Sequence, residues 1–476
     1  MATLFLLFKL TLWLLGIAAL CWGGLCLWLH FKHPEPHWDW ASLEVDKVRF
    51  PREFLWGVAT AAHQVEGYNT NNNWAWWETQ ADEQGVPRIA GGQEAGAACD
   101  SWNRYEEDIE LAQRLGVGAF RLSLEWSRIE PEEGVFDDEA IAHYHRVLEA
   151  LERAGIEPML TLLHFTWPMW FEQKGAFERH GNIPIFLRFC ERVFAEYRPR
   201  CRLWCTVNEP EVVSLIGYLL GLFPPGRRDL GAAIRVQRNL LLAHAQAYHR
   251  LKALPGGADA EIGLVKNIFQ IDPSRRWLLP EWILARIADH AHNEAILEYL
   301  RTGTFRWRIP YFAWLTSHDP EVRGAGDFFG LNFYSHVNVH LQWNRAQPVV
   351  FRARPHELPT DFHYPVYAEG FHGALHRAAA LGKPIYVTEN GAPDAADRVR
   401  DTWIRRYLYA LHKGLQEGLD IRGYFYWSLL DNFEWAEGFD QRFGLYHVDF
   451  ETQKRTLREG ARAFEEAVKQ KSDAPV

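Results

Sequence analysis

The chain has 476 residues, 48% hydrophobic and 24% charged, which excludes a disordered protein and leaves room for one large domain or two ordinary ones. A net charge of −10 and a pI near 6.1, with no basic block beyond pairs such as Arg275-Arg276, argue against a nucleic-acid partner. The 22 Trp are more than core packing asks for, and suit a cleft for sugars, whose flat C–H faces stack on aromatic rings.

Residues 10–31, LTLWLLGIAALCWGGLCLWLHF, hold no Asp, Glu, Lys or Arg. About 20 apolar residues cross a bilayer core, so the stretch is long enough to span. Lys9 and Lys32 bracket it, and Trp13, Trp22 and Trp28 are of the interfacial type. It stays apolar past Gly24 and has no clean A-x-A site, which favours an uncleaved anchor over a signal peptide. Residues 1–31 therefore read as a single-pass membrane anchor. The side of the membrane stays open, because Lys9 faces only Lys32, Lys47 and Arg49 across the span. Residues 32–49, beginning KHPEPHWDW, read as a stiff Pro-containing tether. The six Cys form no paired framework and no C-x-x-C pattern, and read as free thiols.

From Phe50 onward eight apolar runs alternate with amphipathic stretches. The runs are 54–61, 119–127, 157–165, 202–210, 261–269, 327–335, 384–391 and 421–430. Between them lie patterns such as YEEDIELAQRLG and AIAHYHRVLEALERAG, each closed by a Gly suited to a helix C-terminus. Eight such alternations predict an α/β fold, a (β/α)8 TIM barrel in one catalytic domain over residues 50–470. Polar residues gather at the C-terminal ends of the predicted strands: Gln64, Glu66, Glu125, His164, Asn208, Glu209, Asn332, Tyr334, Glu389 and Asn390. That end of such a barrel carries the active site.

Glu209 and Glu389 fall on predicted strands four and seven. Two carboxyl groups across one pocket suit glycoside hydrolysis, in which one donates a proton to the leaving oxygen and the other attacks as an anion. A metal site would bring more His or carboxylates than His164 alone.

The motifs TVNEP (206–210) and VTENG (387–391) resemble the acid/base and nucleophile motifs of glycoside hydrolase family 1, the β-glucosidase family. FLWGVATAAHQVEG (54–67), FRLSLEWSRIEPEEG (120–134), LLHFTWPMW (162–170), GLNFYS (330–335) and YWSLLDNFEWAEGFDQRFGLYHVDF (426–450) follow in family order. The resemblance implies a retaining β-glycosidase acting on O-linked β-glycosides by double displacement. It implies Glu209 as acid and then base, Glu389 as nucleophile, and Asn208 on the sugar's 2-hydroxyl. Arg121 and Tyr334 would flank Glu389 and favour its ionised form. Gln64, His164, Trp427, Glu434 and Trp435 would bind the nonreducing sugar, with core packing the competing reading for the two Trp and a satisfied barrel histidine for His164.

His63 and Leu163 depart from the family pattern and bear on subsite detail rather than on the reaction. The implied partner is a carbohydrate or glycoside, with the membrane reached through the N-terminal helix. No cofactor or metal is implied, and oligomeric state stays open. Two other readings remain: an anchored transglycosylase that passes the glycosyl group to a sugar or glycolipid, and a sugar-binding receptor without catalysis. The presence of both Glu speaks against the receptor.

Overall fold

The computed structural model describes residues 1–309, 313–344, 349–355, 357–362 and 364–472. Each apolar run forms a strand: β1 (Leu55–Ala59), β2 (Ala119–Ser123), β3 (Glu157–Leu163), β4 (Leu203–Asn208), β5 (Glu261–Asn267), β6 (Phe328–Asn332), β7 (Ile385–Asn390) and β8 (Ile421–Trp427). All eight pair in parallel with their sequence neighbours, and β8 closes the barrel on β1. The near-continuous apolar runs have a physical cause. Helices cover the outside and side chains fill the inside, so β4 is buried at every position. The helices Ser101–Leu115 and Asp138–Ala154 end at Gly116 and Gly155, whose left-handed φ of 80° and 69° turns the chain into the next strand.

The N-terminal helix α1 (Ala2–Lys32) shows its apolar side chains to the outside over nearly its whole length. At 1.5 Å per residue it is about 46 Å long, more than the roughly 30 Å of a bilayer core. It is long and apolar enough to cross a membrane. Its last turns are not free. Cys26 and Leu29 pack on Trp282 of α2 (Leu279–Asp289), and the Trp22 indole donates to the Trp277 carbonyl at 3.0 Å.

The segment 32–49, read from the sequence as a tether, lies bound along the barrel from residue 33 onward. Glu35 is buried between the guanidinium groups of Arg276, at 3.1 Å, and Arg354. The Tyr367 hydroxyl donates to the Pro36 carbonyl at 3.0 Å. Glu369, at the start of α3 (Ala368–Ala379), accepts from the Trp38 N–H at 2.9 Å and from the Trp40 indole at 3.0 Å. Both indoles pack edge-on against Tyr409 of α4 (Arg400–Gln416), and Asp46 pairs with Arg405 one turn earlier. The strap so formed starts at the end of the barrel where the strands finish. Gln270–Pro273 and His336–Leu341, which meet it there through His336 and through Arg276 held by Asp272, continue directly from β5 and β6 and pair with each other.

Glu35 neutralises two cations in a site nearly closed to water, so its loss leaves both without their shared partner. Glu35→Ala is expected to destabilise the fold by about 2–3 kcal/mol. The exposed Glu44, paired with the equally exposed Lys47, is the control, and Glu44→Ala should change stability by no more than about 0.5 kcal/mol. Denaturation midpoints of the two variants check this; equal midpoints would show the strap to be unloaded.

Candidate active site

The site begins with a strained residue. β4 ends at Asn208, and Pro210 opens the short helix Pro210–Val212. Proline suits a first helical position, where its missing N–H costs nothing, and it disfavours right-handed helical backbone in the residue before it. Glu209, caught between strand and proline, takes φ 47° in the left-handed region. Such a conformation costs about 1–3 kcal/mol in a residue with a side chain. Its N–H still donates to the Val265 carbonyl of β5 at 2.9 Å, which fixes the carboxyl over the barrel mouth.

Glu389 reaches the same mouth from β7. Its Oε1 accepts from Arg121 Nη1 at 2.5 Å and its Oε2 from the Tyr334 hydroxyl at 2.6 Å. Arg121 Nη2 donates to Asn208 Oδ1 at 2.8 Å. Asn332 Nδ2 donates to the same Oδ1 at 3.3 Å and to Glu209 Oε1 at 2.7 Å. One hydrogen-bonded chain thus joins the two carboxyl groups through three strand ends. Its members receive unequal treatment. Glu389 holds a cation and a phenol; Glu209 holds a single amide.

Burial pushes the Glu209 carboxyl well above its ordinary range, and the negative charges of Glu389 and Glu211 push it further. Burial works against the charge of Arg121, yet the adjacent Glu389 raises its pKa. The Tyr334 phenol is also driven well up, by burial and by both carboxylates, so it remains a donor.

Beside the carboxyl pair lies a polar and aromatic pocket. Gln64 Nε2 is shared among Asn432 Oδ1 at 3.0 Å, the Phe433 carbonyl at 2.9 Å and Glu434 Oε2 at 3.1 Å. His164 lies between Trp427 and Trp435, with ring centroids 5.8 and 6.0 Å away, and its Nε2 meets Asn208 Nδ2 at 3.2 Å. Burial holds this imidazole neutral, aided by the nearby Arg121 charge. With Nε2 accepting from Asn208, the proton sits on Nδ1. Gln64 Oε1 and His164 Nδ1 are buried without a partner among the described residues. An acceptor and a donor of this kind match hydroxyl groups, which use both. Burial pushes Glu434 up to about 8, against the hydrogen bond from Gln64 and with the charge of Glu389.

Every residue that the sequence places in the site lies in this constellation. Three other strand-end residues do not serve it. Glu66 accepts from Tyr144 at 2.6 Å and from Arg128 at 3.0 Å, and Glu125 caps the helix Trp126–Ile129. The Asn390 amide is used on the Phe333 carbonyl and the Tyr424 hydroxyl. His63 stacks on Trp435 at 6.0 Å and bonds Glu78, so it supports the aromatic wall from behind. Two features go beyond the sequence reading. Asn332 holds Glu209, and Glu211 with Lys266 forms a fully buried ion pair at 3.5 Å under it. The second Glu of NEPEV was the only sign of that pair.

Comparison with known proteins follows the same lines. Residues 46–473 match the family model for Glycosyl hydrolase family 1. β-Glucosidase A of Thermotoga maritima is 33% identical over 444 residues, covering 88% of this chain and 98% of the relative. A β-glycosidase from Pyrococcus horikoshii matches with a TM-score of 0.79 at 36% identity, over 89% of this chain and 95% of the other. The Thermotoga maritima β-glucosidase in complex with cyclophellitol matches with a TM-score of 0.80 at 31% identity, over 89% and 99%.

The raised pKa of Glu209 has a consequence for stability. Where a folded carboxyl titrates above its unfolded value, the native state binds the extra proton. Stability then falls as pH rises from the unfolded pKa, near 4.3 for Glu, to the folded one. Glu209→Gln removes that penalty. The variant should be more stable than the parent at pH 7, by about 0.5–2 kcal/mol, as is common when functional strain is relieved. The gain should vanish near pH 4. A gain independent of pH would count against the titration as its source.

Proposed function

The chain belongs to glycosyl hydrolase family 1, and from that premise we propose that it is a retaining β-glucosidase-like enzyme hydrolysing O-linked β-glycosides. The observation that carries the reading is the unequal environment of two carboxyl groups on one hydrogen-bonded chain. Glu389, held by Arg121 and Tyr334, attacks the anomeric carbon as an anion. The bond from that carbon to the aglycone oxygen breaks, and Glu209 gives that oxygen its proton. A glycosyl group is then bound to Glu389 as an ester. Glu209, now an anion, takes a proton from water as the water attacks the same carbon and frees Glu389. Asn208 holds the 2-hydroxyl. Gln64, His164 and Glu434 hold the remaining hydroxyls, and Trp427 and Trp435 stack on the ring. The segment WAEGFDQRFGLY lacks the Ser, Lys and Tyr set used to hold a sugar phosphate, which supports an unphosphorylated sugar. In this reading residues 1–31 are a single-pass anchor, 32–49 the link and 50–470 the catalytic domain.

A second reading, transfer of the glycosyl group to a sugar or glycolipid hydroxyl, draws support from where α1 docks. The helix meets Trp277 and Trp282, beyond the end of β5, and so leaves the barrel on the side of the mouth. Trp277 and Ile283 are exposed there, as residues at a lipid surface would be. The reading as a sugar-binding receptor without catalysis has no such support, since both Glu stand in one hydrogen-bonded network.

Three outcomes are expected. With azide, Glu389→Ala should yield an α-glycosyl azide, because the small anion attacks the face that Glu389 left; a β product would remove Glu389 from its role. For Glu209→Gln, turnover on substrates with poor leaving groups should fall by about 10²–10⁴, and the alkaline limb of the activity profile should go with it. That limb belongs to a group that must be protonated, so activity is lost as pH rises through its pKa. A persistent limb would assign the acid elsewhere. A chain beginning at His33, which keeps Glu35 and Trp38, should retain turnover on a soluble aryl glucoside and lose it selectively on a lipid-linked glycoside in vesicles. Equal loss on both would make α1 part of the catalytic unit.

A further inference from the structure

On the flank of the barrel, away from the mouth, α3 and α4 bring together a second set of chemically capable side chains. His372 and His376 stand one turn apart on α3, so they project from one face. Glu417 follows the last residue of α4. His372 Nε2 and His376 Nε2 each lie 2.7 Å from one atom, Glu417 Oε2. The other oxygen, Oε1, is occupied by Lys413 Nζ at 2.9 Å. The carboxylate is thereby turned so that Oε2 alone faces the two imidazoles.

We propose that His372, His376 and Glu417 form a structural site for one divalent transition-metal ion, Zn²⁺ by its ligand set, that clips α3 to α4. The chemistry is that of two imidazole nitrogens and one carboxylate oxygen, with solvent as the fourth ligand. Zinc takes such sets in tetrahedral geometry, at about 2.0–2.1 Å to nitrogen and 2.0–2.2 Å to oxygen. The three ligand atoms lie within 4.8 Å of one another, close enough for one ion to reach all three after small side-chain shifts. Calcium and magnesium prefer oxygen and are disfavoured by two imidazoles. Neutral imidazoles ligate through Nε2 once their proton sits on Nδ1.

Place in the fold assigns the ion a holding role. Glu417 comes four residues before β8 starts, at the end of the barrel opposite the catalytic mouth, where residues serve stability. His372 also packs edge-on against Trp38, with centroids 5.5 Å apart, so an ion there seats the strap as well as the two helices. A second cluster, Glu35, Asp272 and His336, has similar spacing but a different character. Arg276 and Arg354 already pair with its two carboxylates, whereas Lys413 engages Glu417 through Oε1 and leaves Oε2 to the two imidazoles.

The test uses full-length chain without an affinity tag, stripped with chelator and titrated with Zn²⁺ by calorimetry. One ion per chain is expected, together with a rise in thermal midpoint and, with Co²⁺, the visible absorption of a tetrahedral site. His376→Ala and Glu417→Gln should each weaken binding by about tenfold or more, and the double variant His372→Ala/His376→Ala should lose it. All three side chains are partly exposed, so the variants should fold, and turnover on an aryl glucoside should be unchanged. Failure of the parent protein to bind zinc overturns the proposal. So does binding that survives in the double variant, because the ion then sits elsewhere.

Discussion

The buried guanidinium of Arg121 is the constraint on which the rest of the mouth depends. It rises from β2 with 1% of its surface exposed. Stripping a charge of water costs several kcal/mol unless its hydrogen bonds are nearly all replaced. The barrel replaces them from three other strands: Thr161 on β3, Asn208 on β4, and both Glu389 and the Thr388 carbonyl on β7. A cation satisfied in this way cannot move without breaking several contacts at once. It therefore fixes the relative placement of strand ends that are far apart in sequence, and with them the two carboxyl groups.

The same cation separates the fates of those groups. Glu389 touches it directly; Glu209 is reached only through Asn208 and Asn332. Burial raises the Glu209 carboxyl, which has no cation bonded to it. Glu211 adds to the difference, because its buried charge repels a proton-free Glu209 from below. The unequal environments of the two carboxyl groups thus follow from which residue the guanidinium can touch.

Much of this was legible in the sequence, for identifiable reasons. A parallel barrel buries both strand faces, so its strands appear as short unbroken apolar runs, and all eight were visible. The residues of the polar and aromatic cluster and the two carboxyl residues were visible through their motifs and their positions at strand ends. Position alone was a poorer guide. Glu66 and Glu125 also stand at strand ends, but Tyr144, Arg128 and a helix N-terminus claim them. Strand-end position does not distinguish Glu66 from Glu209, because the partners of Glu66 lie 62 and 78 residues away in the chain. The strap was hidden for the same reason. KHPEPHWDW has the Pro and charge content of an exposed linker, whereas Arg276, which pairs with Glu35, comes 241 residues later and Glu369, which accepts from the Trp38 N–H, 331 residues later.

A bound strap changes what an apolar N-terminal helix does for the enzyme. A free tether of some 18 residues would let the barrel tumble, and the mouth would sample every direction relative to a bilayer. Glu35, Pro36, Trp38 and Trp40 remove that freedom. The contacts of Trp22, Cys26 and Leu29 set the direction in which the helix leaves. The strap then runs from the mouth end, at Asp272 and His336, down the flank to Phe50, which pairs beside the C-terminal strand. If α1 enters a bilayer, the lipid surface must meet the barrel near Trp277, on the side where β5 and β6 end. In that case the ion pairs that hold the strap would also set how the barrel sits on the lipid, because Glu35 is fixed between two arginines.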